Sequence, residues 1–261
     1  MTPFHYSVQN SGIEVKHFDA PNTLRLVHTD ANGRATEEVV FTIQGVLSGK
    51  NLPPVTEKIR STSQARYLQQ GITLIGSGTP TFEEAIDAAQ EIYSIFDRNV
   101  QDTSLESWSL PSSPITQGRA LDASNRYLTS KQDTPAMASI PIPTMIDPQG
   151  ILKKLTKEGF LYSKENEVQY YQVHKSDKGT NRFEPVGPEI FQIGDIAKIQ
   201  VSFIAVPLKD NKHKMIVVLR SITLLDQYFS QIKLLELLGP LDNQAVKTQL
   251  YKLFTTKPHF T

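Results

Sequence analysis

At 261 residues, 39% of them hydrophobic and 21% charged, the chain has the balance of a folded protein and the length for one large domain or two ordinary ones. It has no cysteine, which excludes disulfides, thiolate metal sites, iron–sulfur clusters and cysteine nucleophiles. Its 27 basic and 27 acidic side chains cancel, but residues 1–140 hold 11 basic and 15 acidic groups while residues 141–261 hold 16 and 12, so the basic part could face the acidic part or an anionic partner.

No stretch approaches the roughly 20 apolar residues that span a bilayer, and the opening MTPFHYSVQN lacks the basic and apolar regions of a secretory leader. A cytoplasmic or nuclear location with no membrane contact is therefore expected. The first elements in chain order read as strands: GIEVKHF (12–18), TLRLVHT (23–29) and EEVVFTIQGVL (37–47), separated by DAPN and DANGR. Ile13, Val15, Leu24 and Leu26 alternate with polar residues, and Asn32-Gly33 is a hairpin signal because both residues tolerate positive φ. An antiparallel meander is expected.

Next come a short apolar strand, the Gly76-Ser77-Gly78 turn and a helix. Thr81 and Glu84 have capping-box spacing, and Phe82, Ala85, Ile86, Ala89, Ile92, Tyr93 and Phe96 share one face that should pack on the meander. Residues 1–100 are thus expected to form an α+β domain. In residues 101–146, 18 of 46 positions are Ser, Thr or Pro, which suits a linker or surface arm. Trp108 and Tyr127 inside that stretch hint that part of it docks.

A domain of residues 147–261 follows. Asp147, Pro148 and Gly159 bracket a helix; EVQYYQVH (167–174) reads as a strand; FQIGDIAKIQVSFIAVPL and MIVVLRSITLLD form a long hairpin turned by KDNKHK. Two helices, 227–238 and 242–254, are expected to close the domain. The overall expectation is an α+β fold: an N-terminal meander with one packed helix, and a β-rich C-terminal domain covered by its two helices or closed into a small barrel.

Catalytic and cofactor signals are sparse. LIGSGTPTFEEA (74–85) has the strand, glycine turn and helix start of a phosphate cradle, but it lacks the third glycine and the Lys-Ser/Thr pair, and Glu83 and Glu84 would repel phosphate. No two of the six histidines have metal-ligand spacing, and Gly76-Ser77-Gly78 has the wrong spacing for a nucleophile elbow. No catalytic residue, metal or cofactor is assigned, and Asp195 after Gly194 reads as a turn residue.

The hairpin offers more. Ile199, Val201 and Phe203 alternate with Lys198, Gln200 and Ser202, but Ile204 to Val206 and Met215 to Leu219 are apolar on both faces, which marks the middle as core. Its tip carries Lys209, Lys212, His213 and Lys214, with Lys198 and Arg220 further down. Small barrels with long hairpins include oligonucleotide binders, so Lys198, Lys209, Lys212, Lys214, Arg220, Tyr170 and Tyr171 are candidate nucleic-acid contacts, although adjacent tyrosines on a strand face opposite ways. This segment and the preceding IDPQGILKKLTKEGFLYSKENEVQYYQV, residues 145–226, resemble uncharacterised proteins of mushroom-forming fungi, a resemblance that implies no activity. In the expected helix 227–238, Leu234, Leu237 and Leu238 exceed one apolar stripe and are candidate partner contacts. The expectation is a non-enzymatic binding module for another protein or its own copy. Its rivals are a single-stranded nucleic-acid binder using the basic hairpin and a small-molecule enzyme with its site at the domain junction.

Overall fold

The computed structural model describes residues 12–29, 36–57, 61–100, 104–111, 118–175 and 181–227. Alternating apolar residues place Ile13–Asp19 (β1) against Asn22–Thr29 (β2) in an antiparallel pair, and Thr36–Glu38 (β3) adds to β2. The strand expected at 37–47 breaks at Val39, whose side chain is buried and whose N–H donates to the Leu26 carbonyl at 2.9 Å. The chain then leaves the meander as Phe41–Asn51 (β4), which pairs with Gln69–Ile75 (β5).

The helix that follows is Pro80–Asn99 (α1). It starts two residues before the expected Thr81 cap: Thr79 is the N-cap and Pro80 occupies the first turn, where a missing N–H costs nothing. Thr81 and Glu84 therefore lie inside the helix. Phe82, Ile86, Ile92 and Phe96 are buried as the 3.6-residue period requires, each contributing roughly 1.5–3 kcal/mol by leaving water.

Within the Ser/Thr/Pro-rich stretch, Ser104–Leu105 (β6) flanks the sheet, Ala120–Arg126 (β7) pairs with β5, and Thr129–Ser130 (β8) pairs with Phe160–Leu161 (β9). The helix expected after Asp147 is short, Ile151–Leu155 (α2); Asp147 accepts from the N–H groups of Ile151 at 2.6 Å and Lys153 at 2.9 Å. Gln169–Lys175 (β10) pairs with the exposed strand Asn181–Pro185 (β11), which shows no apolar alternation in sequence. Ile196–Pro207 (β12) and Lys212–Asp226 (β13) form the long hairpin. Asp195 holds the turn into it, accepting from the Gln192 N–H at 2.6 Å.

One sheet of eleven strands runs β1-β2-β12-β4-β5-β7-β13-β10-β11, with β3 on β2, β6 on β13, and β12 also paired to β13. From β4 the pairings pass to β5, β7, β13 and β12 and return to β4, so five strands form a closed circuit. Residues 1–100, 101–146 and 147–261 all contribute strands to it. In this circuit β12 and β13 are joined by strands from residues 41–126. Ile43, Leu74, Leu121, Ile199, Phe203 and Leu219 are buried on the circuit's inner side, with α1 packed on the same core. A second cluster, including Leu128, Leu152, Phe160 and Tyr162, lies around α2. Both expected C-terminal helices fall outside the described residues, apart from Gln227.

Candidate nucleic-acid interface

Twelve cross-strand pairs hold β12 to β13, from Ile196↔Asp226 to Pro207↔His213. Partners directly opposite share a face, so the register fixes which side chains stand together. Val201, Phe203 and Ala205 point inward with Met215, Val217 and Leu219. Outward, from base to tip, lie Lys198 with Thr223, Gln200 with Ser221, Ser202 with Val218, Ile204 with Ile216, and Val206 with Lys214. A register shift after Gln200 leaves Arg220 as the extra residue on β13, and its Nε donates to the outward Ser202 hydroxyl at 3.3 Å. Lys198, Lys214, Lys212 and Arg220 therefore stand on one side of the ribbon.

The tip is tightly made. The Leu208 N–H donates to the Lys212 carbonyl at 2.7 Å, and Asp210 and Asn211 take φ of 60° and 55°, a conformation those residue types tolerate better than most. β6 pairs in parallel with Lys212 and His213, and the Glu106 N–H donates to the His213 carbonyl at 2.7 Å. Lys209, Lys212 and Lys214 are exposed and have no ion-pair partner among the described residues.

The remaining candidates are placed differently. Burial lowers the pKa of Lys198, whose Nζ lies 4.7 Å from the centroid of the half-exposed Phe183 ring. Tyr171 lies in the same row as Lys198, through Thr223, and its hydroxyl donates to Gln169 at 2.9 Å. Tyr170 faces the other way, is buried and donates to Gln70; burial raises its pKa, and no ring face is open for stacking. Both tyrosines border a recess of about 360 Å3 with Pro143, Met145, Tyr162 and Pro185. Leu234, Leu237 and Leu238 lie outside the described residues.

Arg220 is neutralised. Its Nη2 meets the two Glu38 oxygens at 2.7 and 2.8 Å and Glu165 at 3.5 Å, while Arg25 from β2 donates to both Glu165 oxygens at 3.0 and 3.2 Å. Arg25 stands opposite Ile204, so this network crosses the outer side of β12. Burial acts to raise the Glu165 pKa, but the hydrogen bonds and charges of Arg25 and Arg220 overcome it and the net shift is downward. Among the described residues, Arg25 and Arg220 are therefore paired with Glu38 and Glu165, whereas Lys212 and Lys214 have no ion-pair partner. Arg25, Glu38, Glu165 and Phe183 give no local sequence signal, because their partners in this network are distant in sequence.

No family model and no curated protein matches the chain. Among solved structures, the single-stranded DNA-binding protein gp2.5 encoded by bacteriophage T7 is similar at 10% sequence identity and a TM-score of 0.37, over 72% of this chain and 86% of that one. Among the described residues, no helix is long and apolar enough to cross a membrane.

Proposed function

We propose that the protein binds single-stranded nucleic acid, with the tip of the β12–β13 hairpin as its electrostatic contact. We read the circuit β4-β5-β7-β13-β12 as a small five-stranded barrel, since five twisted strands paired edge to edge and back to the first have no free edge within the ring. Counted along the chain, β12 and β13 are its fourth and fifth strands. Five-stranded barrels that bind oligonucleotides use the loop between those two strands. Here Lys209 in that loop and Lys212 and Lys214 at the start of β13 are exposed and have no ion-pair partner among the described residues, and this is the observation that carries the reading.

The test is a salt series with a labelled single-stranded oligonucleotide. Contacts from roughly three to five cations give a log–log slope of about −2 to −3.5, a loss of roughly 20- to 130-fold between about 50 and 200 mM salt. Lys212→Glu with Lys214→Glu should weaken binding and flatten that slope. Absence of binding at about 50 mM salt, where the electrostatic contribution is strongest, would sink the reading.

A further inference from the structure

The outer side of β4, β5 and β7 carries a shallow groove of about 330 Å3. It is open because Gly49 and Gly71 bring no side chains to fill it; a Cβ at Gly71 would stand 2.9 Å from the Cβ of Ser124. Its polar groups are already engaged: Thr73 donates to Asp122 at 2.6 Å, and the Asn51 amide donates to the Gln69 carbonyl at 2.9 Å. With one hydrogen-bonded carboxylate on its wall, the groove is no phosphate clamp by itself.

At the end where β5 begins stands Tyr67, 81% exposed and the most exposed large hydrophobic side chain among the described residues. It is two residues from Gln69, which lines the groove, so their Cα atoms are at most about 7 Å apart. Arg66 beside it is exposed. An aromatic ring left in water contributes nothing to the core, whereas a ring beside a cation is an arrangement that stacks unpaired bases.

Resting on the nucleic-acid reading of the hairpin, we propose that Tyr67 is a stacking platform for an unpaired base and Arg66 its phosphate contact, so that a strand held at the tip crosses the groove and leaves past Tyr67 and Arg66. The registers give the separation, while Val218 itself is buried and the strand passes over its neighbours. Lys214 is four residues from Val218, Val218 stands opposite Ser124, Ser124 opposite Gly71, and Gly71 two residues from Gln69. Six residues of rise along the strands and two strand spacings across them put the two ends roughly 22 Å apart. At about 3.4 Å per stacked nucleotide that holds roughly six to seven nucleotides, inside the roughly 4–16 that such barrels cover.

The probe is a fluorescent oligothymidylate longer than roughly 16 nucleotides, with the full chain. Tyr67→Ala should cost roughly 5- to 150-fold in affinity with the salt slope unchanged, and Tyr67→Phe should keep wild-type affinity. Arg66→Ala should reduce the slope by about 0.7. Light-induced crosslinking of a 5-iodouracil strand should map to Tyr67, a readout that a structural role would not produce. If Lys212→Glu with Lys214→Glu weakens binding while Tyr67→Ala and Arg66→Ala bind as wild type, the inference is overturned and the hairpin reading stands. If the wild-type chain binds no oligonucleotide, both fall.

Discussion

Arg220 shows how a residue that reads as a ligand contact can be consumed by the fold. Its guanidinium meets Glu38, 182 positions away, and Glu165, 55 away, so no local pattern announces the pairing. Lys209, Lys212 and Lys214 stay legible because a hairpin tip is defined by its own few residues. The Arg25–Glu165–Arg220–Glu38 network has a consequence for stability. The Glu165 carboxyl is held below its ordinary value, so its contribution is complete above the unfolded-state value of about 4.3 and is lost as pH falls through the lower folded value. Stability should therefore fall on acidification below about pH 5. Glu165→Gln should remove part of that dependence and, near neutrality, cost about 1.5–3 kcal/mol, the worth of hydrogen bonds to a charged group. Urea unfolding of both proteins at neutral and acidic pH measures it; parallel pH curves would deny Glu165 this role.

Among elements, the hairpin and α1 are the most legible, since a period of 2 or 3.6 is written in neighbouring residues. β7 is not: Ala-Leu-Asp-Ala-Ser-Asn-Arg carries small side chains inside a Ser/Thr/Pro-rich stretch, and it is a strand because β5 and β13 supply edges on both sides. β11 is invisible for the opposite reason, all five of its residues being exposed. The turn into α1 separates two uses of glycine. At Gly76 an added Cβ would lie 2.4 Å from the ring of Phe82, the buried residue that anchors the first turn of α1, whereas Gly78 takes φ +78° with nothing within 4 Å. Gly76→Ala must therefore push Phe82 out of place, costing about 1–3 kcal/mol as overpacking does. Gly78→Ala meets only the backbone strain of a left-handed residue, about 1–2 kcal/mol. The distinguishing measurement is a double change: Phe82→Leu should relieve part of the Gly76→Ala penalty and none of that at Gly78. Equal behaviour at both positions would remove the steric account.

At the scale of the molecule, composition suggests a break near residues 101–146, yet that stretch supplies β7, whose partners are β5 from residues 69–75 and β13 from residues 212–226. Separating the flanking parts would expose the inward residues of β5 and β13 together, including Leu74 and Leu219, and would leave both edges of β7 unpaired. Exposed apolar area and unpaired backbone are costly enough that such a half-structure should not persist as a populated state. Unfolding of the described sheet is thus expected to be cooperative. The single tryptophan makes this measurable, because Trp108 is partly buried against the main core and reports on the middle of the chain, while far-ultraviolet circular dichroism reports on the strands as a whole. In guanidinium the two signals should trace one transition with the same midpoint and slope. If the Trp108 signal changes at a separate midpoint, the middle segment comes away as its own unit, and the shared sheet does not bind the flanking parts into one cooperative structure.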